Sequence, residues 1–271
     1  MLTAVAFFNP ESAAADVTGF AWKAVAGWQR AQPVRSHKPI PEHVADLFAL
    51  TCARQGDWDG AVAFILGVHI YSRPGDLEGM RLRHLLMPGD LRSLLRDTAQ
   101  VRVKDKRTGQ DQTVIVDSPS VLAWLQWFLR WRKRQGLSQH PDAFLFRFPA
   151  GSFNNVVRAC QDDLRFERRI FVAHGCRVTG ATRDWALHRR PIADIMTRGR
   201  WKNQRTCEGY LQAAQATLLS LQLPEHIHRY FGGDLRRARR DLRRLRSARR
   251  KRPRRSGSAA HVGTPPPGGG R

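Results

Sequence analysis

Residues 100–117, QVRVKDKRTGQDQTVIVD, decide the architecture. QVRVKD and QTVIVD read as two short strands flanking KRTGQ, a β-hairpin whose turn is not one of the strong two-residue types. Helical patterns surround it. Upstream, Pro41 suits a first helical position and is followed by Val44, Leu47 and Phe48 on one face. A second helix is expected over roughly Trp58–Tyr71 and a third over roughly Pro74–Leu86. Downstream, Pro119–Arg134 places Trp124, Trp127, Phe128 and Trp131 at helical spacing, for which a buried face is the preferred explanation. Later helices are expected near Ser152–Asp163, His174–Leu187, Pro191–Arg198 and Gln204–Leu221. The chain therefore reads as mainly α with a small antiparallel β-sheet.

Both ends depart from this body. Residues 14–29 read as a helix, and the polar, proline-bearing stretch over 31–41 reads as a linker. The 30 residues before it are too few for an independent domain of ordinary size. The main domain then covers 42–230. Leu235, Ala238, Leu242 and Leu245 form a thin apolar stripe on an Arg-rich helix within 231–252, and 253–271, ending TPPPGGGR, has the composition of a disordered tail.

Lys and Arg number 46 against 23 Asp and Glu, a formal net charge of +23. That excess is beyond what solubility needs and implies a polyanionic partner, nucleic acid ahead of an acidic membrane surface. Residues 236–255 hold 13 basic side chains and the single acid Asp241, which leaves +11 on the rest of the chain. The folded body is thus a polyanion binder in its own right. Cys52, Cys160, Cys176 and Cys207 are too few and too widely spaced for a disulfide scaffold or a zinc site. With neither a signal peptide nor an apolar run of 18 residues, a reduced intracellular location without membrane insertion is expected.

Several residues stand out as candidates. His174 and Arg177, three apart, share a face if their segment is helical. Arg73 precedes Pro74 and Asp76 at a helix start, where free backbone N–H groups favour an anion and an arginine adds a planar fork of donors. Two such arginines can hold one phosphodiester by its non-bridging oxygens. Taken singly, each has a blander reading: a solvated arginine, a structural histidine, a tryptophan anchoring the loop at 201, and Tyr210 as a helix-packing residue like Tyr71 or Tyr230.

Order and spacing change that weighting. HIYSRPGDLEGMRLRHL (69–85) resembles the first arginine box of the tyrosine-recombinase or phage-integrase family, with Arg73 and Asp76 in place. AHGCRVTGAT (173–182) is similar to its His-x-x-Arg box, carried by His174 and Arg177. GRWKNQRTCEGYL (199–211) resembles the closing box, in which a His or Trp precedes the tyrosine by nine residues, as Trp201 precedes Tyr210. Arg177 and Tyr210 are also separated by the family's 33 residues. The resemblance covers about 42–220 and implies the catalytic-domain fold of that family.

It also implies a chemistry. Tyr210 would attack a DNA phosphodiester to form a 3′-phosphotyrosyl link and release a 5′-hydroxyl, and a partner strand's hydroxyl would reverse the step without ATP. Arg73 and Arg177 would stabilise the charge at phosphorus. Trp201 would donate its indole N–H to a non-bridging oxygen or buttress the site, and His174 would assist proton transfer from the tyrosine. The family's lysine lies on a β-hairpin; Lys106 is the choice here, with Lys104 the alternative on the same side of the strand. Arg81, Arg83, Lys202 and Arg205 are expected backbone contacts to the duplex. No metal and no small-molecule cofactor is implied, because arginines supply the positive charge. The expected partners are double-stranded DNA and further copies of the chain, as a tetramer on DNA.

The family's N-terminal helical domain is represented only by residues 1–30, so a shortened, mobile-element type of protein with weak site-specific binding is expected. The Arg-rich helix would dock on a neighbouring protomer through its leucines or attach non-specifically to DNA. RRKRPRR (249–255) suits nuclear import in a eukaryote; otherwise the cytoplasm or nucleoid is expected. The rival readings are a catalytically silent relic that binds DNA, a tyrosine-dependent relaxing topoisomerase, and a basic structural or RNA-binding protein.

Overall fold

Helix α1 (Glu42–Arg54) begins after Pro41, whose φ of −50° and ψ of 139° keep it outside the helix, so Pro41 is the N-cap and not the first helical residue. Val44, Leu47 and Phe48 are buried together on its inner face. The computed structural model describes residues 37–90, 97–104, 111–148 and 151–251. The helix expected over 14–29, most of the linker over 31–41, Lys106 and the tail over 253–271 lie outside the described residues.

Helix α2 (Trp58–His69) starts where the Asp57 carboxylate accepts the Gly60 N–H at 2.8 Å. It stops short of the expected Tyr71, because Tyr71 turns left-handed, with φ 50°. That strained backbone is held by a fully buried ring and by the Tyr71 hydroxyl, which donates to Asp184 at 2.6 Å.

The third helix is much shorter than the sequence suggests. Helix α3 (Pro74–Glu78) ends at Gly79, and the chain continues as a 3-10 turn (Leu82–His84) into strand β1 (Leu85–Leu86). The reason lies in the backbone partners: Leu82 and Arg83 donate to the carbonyls of Ala143 and Pro141, and Leu145 donates to Met80. These bonds tie the segment to 141–145 instead of closing helical turns.

Strands β2 (Ala99–Lys104) and β3 (Asp111–Val116) form the expected hairpin, paired antiparallel with Val101 opposite Val114. β1 adds a third strand beside β2, so the sheet order is β1-β2-β3. Ala99, Val101, Val103, Val114 and Val116 are buried on one face, while Arg102 and Ile115 point outward. Helix α4 (Pro119–Arg134) buries all four of its expected aromatics. Its last turn also buries Arg132, whose two terminal nitrogens donate to the carbonyls of Leu145 at 2.7 Å and Phe144 at 3.0 Å.

Helices α5 (Phe153–Asp163), α6 (Gly175–Ala186) and α7 (Ile192–Gly199) lie within a residue or two of expectation. The single helix expected over Gln204–Leu221 is instead two, α8 (Gln204–Glu208) and α9 (Ala213–Leu221). Tyr210 sits in the break. The Thr182 hydroxyl enters the gap from α6, donating to the Tyr210 carbonyl at 2.9 Å and accepting the Gln212 N–H at 3.1 Å. A side chain inserted into the helical ladder accounts for the interruption.

After α10 (Glu225–Phe231), helix α11 (Arg237–Lys251) lies against α1 of the same chain. Ala238 and Leu242 are buried in the common core and Leu245 packs partly against it, whereas Leu235 is exposed. Arg239 bridges Glu42 at 2.7 Å and Asp46 at 2.9 Å. Most of the stripe read as a surface for a neighbouring protomer is therefore covered from within.

Candidate active site

The site forms where the ends of α2 and α7 meet the start of α6. His174 is the N-cap of α6 and Arg177 lies in its first turn, so both are presented at the same end of the helix. Arg177 is 2% exposed and uses its two terminal nitrogens on backbone carbonyls: Nη1 donates to Tyr71 at 2.8 Å and Nη2 to Gly199. These carbonyls lie at and just beyond the C-terminal ends of two helices, where a cation is favoured. Arg177 thus clamps α2 to α7. Only its Nε, buried and unpartnered, remains for another acceptor.

Trp201 forms the floor. The Arg177 guanidinium stacks 4.2 Å from the Trp201 ring, a cation–π contact in a desolvated setting. The ring also lies 6.3 Å from Tyr71 and 5.0 Å from Tyr210. Gly199 makes this packing feasible, because a Cβ there would fall 1.8 Å from the indole. Among the described residues, the contacts of the Trp201 ring are packing contacts.

Tyr210 is half-buried and meets three of the expected residues. Its ring centre lies 5.8 Å from that of His174 and 5.0 Å from that of Trp201, and the Arg177 guanidinium is 5.6 Å from it. The chain has three tyrosines. The Tyr71 hydroxyl donates to Asp184, which with burial drives its pKa far above the usual phenol range, and the Tyr230 hydroxyl donates to Asp241 at 3.0 Å. Among the described residues, the Tyr210 hydroxyl alone of the three makes no hydrogen bond to a carboxylate.

Arg73 caps α3 and lies close enough for its charge to act on both Arg177 and His174. Its backbone N–H donates to Asp76 Oδ2 at 2.8 Å, and the same oxygen accepts Arg200 Nη2 at 2.6 Å. One Arg73 terminal nitrogen is buried without a partner. Burial, followed by the charges of Arg200 and Arg73, pulls the Arg177 pKa down to about 9, still cationic at neutral pH. His174 is pushed down to about 4 by burial first, then by His37, Arg177 and Arg73. Its imidazole is therefore neutral at physiological pH, with Nε2 buried and unpartnered and the His37 ring tilted against it at 4.6 Å between centres.

A polar framework supports the clamp from behind. Asp184 accepts the Tyr71 hydroxyl, Arg183 Nε at 2.7 Å and Arg190 Nε at 3.1 Å. Arg190 also reaches Asp117 at 2.6 Å, beyond the end of β3, and Arg198 joins Asp117 at 2.8 Å to His69 at 3.0 Å. The Asp117 carboxyl is held far below its usual range by hydrogen bonds from His69 and these arginines.

Arg73, His174, Arg177, Trp201 and Tyr210 thus converge. Lys104 ends strand β2, and Lys106 lies outside the described residues. Lys202 and Arg205 are exposed on the loop beside Trp201 and on α8, and Lys202, Arg200 and Trp201 line a cleft shared with Gln112 and Thr113 of β3. Arg81 and Arg83 are instead engaged by the 141–145 segment: Arg81 donates to the Asp142 carbonyl and covers the Phe144 ring at 4.6 Å, and Arg83 pairs with the Asp142 carboxylate. Sequence reasoning missed Arg200 and Thr182. Arg200 adjoins Trp201 in a basic loop, and only its left-handed backbone, φ 59°, turns it into the cluster. Among the described residues no group of three or more His, Cys, Asp or Glu is arranged to hold a metal, and no helix is long and apolar enough to cross a membrane.

No family model matches the sequence, and no curated protein matches it. Among solved structures, the chain is similar to XerA recombinase, at 16% identity and a TM-score of 0.49, over 77% of this chain and 76% of that one. It is similar to XerH site-specific recombinase in a post-cleavage complex with palindromic difH substrate, at 14% identity and a TM-score of 0.49, over 69% of this chain but only 52% of that one. It is similar also to the Tn1549 transposon integrase in complex with transposon right end DNA, at 13% identity and a TM-score of 0.45, over 70% of this chain and 68% of that one.

Proposed function

We propose that this chain cleaves and rejoins DNA strands through a 3′-phosphotyrosyl intermediate on Tyr210. The observation that carries the reading is that Tyr210, alone among the three tyrosines, makes no hydroxyl bond to a carboxylate among the described residues and has its ring against His174, Trp201 and Arg177. Neutral His174 accepts the phenolic proton as Tyr210 Oη bonds to phosphorus. The bond from phosphorus to the 5′-oxygen breaks, and that oxygen leaves as a hydroxyl with a proton from the hairpin lysine, Lys106 or Lys104. Attack by a 5′-hydroxyl reverses every step, so the phosphodiester energy is conserved. Arg73 and the Nε of Arg177 face the oxygens on which charge accumulates.

Lys202 and Arg205 would meet the DNA backbone beside this pocket, and other copies of the chain would supply the partner strands. Arg81 and Arg83 are weaker contacts than their sequence suggests, because their guanidiniums already have partners. A mobile-element role and nuclear import through RRKRPRR belong to the same proposal.

The test is incubation of the full chain with a nicked suicide duplex, followed by denaturing electrophoresis for a covalent protein–DNA adduct. Y210F should abolish the adduct and leave duplex binding within about twofold, since loss of a single neutral hydroxyl costs little binding on its own. An adduct that survives Y210F overturns the assignment. A folded wild-type chain that binds DNA without forming an adduct favours the silent DNA-binding relic, a reading suited to an Arg177 whose terminal nitrogens are already occupied.

A further inference from the structure

Arg200 has no role in the reading above, yet its burial calls for one. Its side chain is 2% exposed, and its one charged partner is Asp76 Oδ2, an oxygen that Arg73 N–H also occupies. Arg200 Nε and Nη1 are both buried without partners. They join Arg73 Nη1, Arg177 Nε and His174 Nε2, so that five unpartnered buried polar atoms belong to one cluster. Buried donors are nearly always satisfied in folded proteins, and a concentration of unsatisfied ones marks a place for an acceptor. The charges agree. Three guanidiniums and one carboxylate leave the pocket at a net +2, with Arg200 and Arg73 the leading charges disfavouring the cation on Arg177. Like charges held together at such burial are costly unless an anion sits among them.

We propose that Arg200 is a third anion-binding arginine of this site, paired with Asp76 when the site is empty and turned to the phosphoryl group when it is filled, so that the pocket favours a dianion over a monoanion. The inference rests on the phosphodiester-transfer reading. A phosphodiester carries one negative charge in the ground state and two when Tyr210 oxyanion and phosphorus share a pentacoordinate centre. A pocket of net +2 is matched to the second state, the differential interaction that accelerates a step. Asp76 then has two tasks: it fixes the backbone of Arg73 and keeps Arg200 from collapsing onto other acceptors.

Opposite effects of two substitutions separate this from a purely structural ion pair. R200N removes the charge with a residue that tolerates left-handed backbone, and D76N removes the competing carboxylate while keeping an acceptor for Arg73 N–H. Binding of inorganic phosphate to the full chain is measured by calorimetry at pH 8 and constant ionic strength, with thermal melts to confirm folding. R200N should weaken phosphate about tenfold, the scale of one charge-assisted hydrogen bond, while D76N leaves it unchanged or tighter. Equal weakening in both variants, or unaltered affinity in R200N, overturns the proposal. Phosphate binding does not involve attack by Tyr210, so it can hold when no adduct forms, and that outcome rejects strand cleavage while keeping Arg200 in the anion site. Where the wild type does form the adduct, R200N should slow it on the ordinary substrate far more than on one with a neutral methylphosphonate at the cleavage site. An equal slowing on both substrates removes Arg200 from the phosphoryl contacts.

Discussion

The Thr182 hydroxyl holds the backbone at Tyr210 from both sides, donating to the Tyr210 carbonyl at 2.9 Å and accepting the Gln212 N–H at 3.1 Å. Thr182 is 4% exposed and sits on the same helix as Arg177. One hydroxyl therefore fixes the distance between the candidate nucleophile and the helix that carries its phosphate ligands. T182V keeps the shape and removes both bonds, at a cost of about 1–3 kcal/mol. The expected result is a lower denaturation midpoint, a slower adduct reaction and unchanged affinity for duplex. An adduct rate equal to the wild type would mean that Tyr210 is positioned by something else.

His174 gives a titration whose direction is fixed by its surroundings. Its folded pKa of about 4 lies below the ordinary 6.5, because burial and the charges of Arg177 and Arg73 oppose protonation. The unfolded chain takes up a proton that the folded chain refuses, so this residue's contribution is present above pH 6.5 and is lost as pH falls through about 4. In an NMR titration of the imidazole C–H signals, assigned by their absence from H174Q, the His174 midpoint should lie near 4 without ligand. Inorganic phosphate should raise it. A midpoint at or above 6.5 in the free protein would contradict the buried, arginine-flanked setting.

The hairpin and most helices were legible because their signals are local: alternating valines at 101, 103, 114 and 116, and Trp124, Trp127, Phe128 and Trp131 at helical spacing. Three features were not, for one physical reason. The helix break at Tyr210 depends on a hydroxyl from α6, the early end of α3 on backbone bonds to 141–145, and the placement of Arg200 on its bond to Asp76. Each is made by a partner distant in sequence. The site followed the same division: the spacing from Trp201 to Tyr210 could be read, whereas the carbonyls that bind Arg177 could not, because Tyr71 and Gly199 carry no side-chain signal for that role.

Asp46 marks a weak point under α11. Burial, together with the Glu42 carboxylate, raises its pKa to about 6, although Arg239 and Arg183 pull it down. Two carboxylates share Arg239, which retains Glu42 at 2.7 Å if Asp46 is neutralised. A carboxyl whose folded pKa is raised stabilises the fold at low pH and loses that contribution as pH rises through about 6. D46N should therefore raise stability by about 1–2 kcal/mol at pH 7.5 and change it little at pH 3.5, below the ordinary carboxyl value of 3.8. Urea denaturation of both proteins at the two pH values checks this. Destabilisation by D46N at pH 7.5 would show the Asp46–Arg239 pair to be a net gain.

Gly180 sets how closely α6 approaches α2. A Cβ at this position would fall 2.0 Å from the Val68 carbonyl oxygen and 2.4 Å from the Tyr71 ring. Neither neighbour can yield easily: one is backbone, and the other is a fully buried ring whose hydroxyl is fastened to Asp184. G180A must push the helices apart, at a cost of about 1–3 kcal/mol for overpacking. The displacement falls on Tyr71, whose carbonyl holds Arg177, so activity should drop more steeply than stability alone predicts. G75A is the matched control, since that position has open space around a Cβ and ordinary backbone. It should stay within about 0.5 kcal/mol of wild type. A G180A protein as stable as G75A, with wild-type adduct yield, would show that Tyr71 and Arg177 do not depend on this contact.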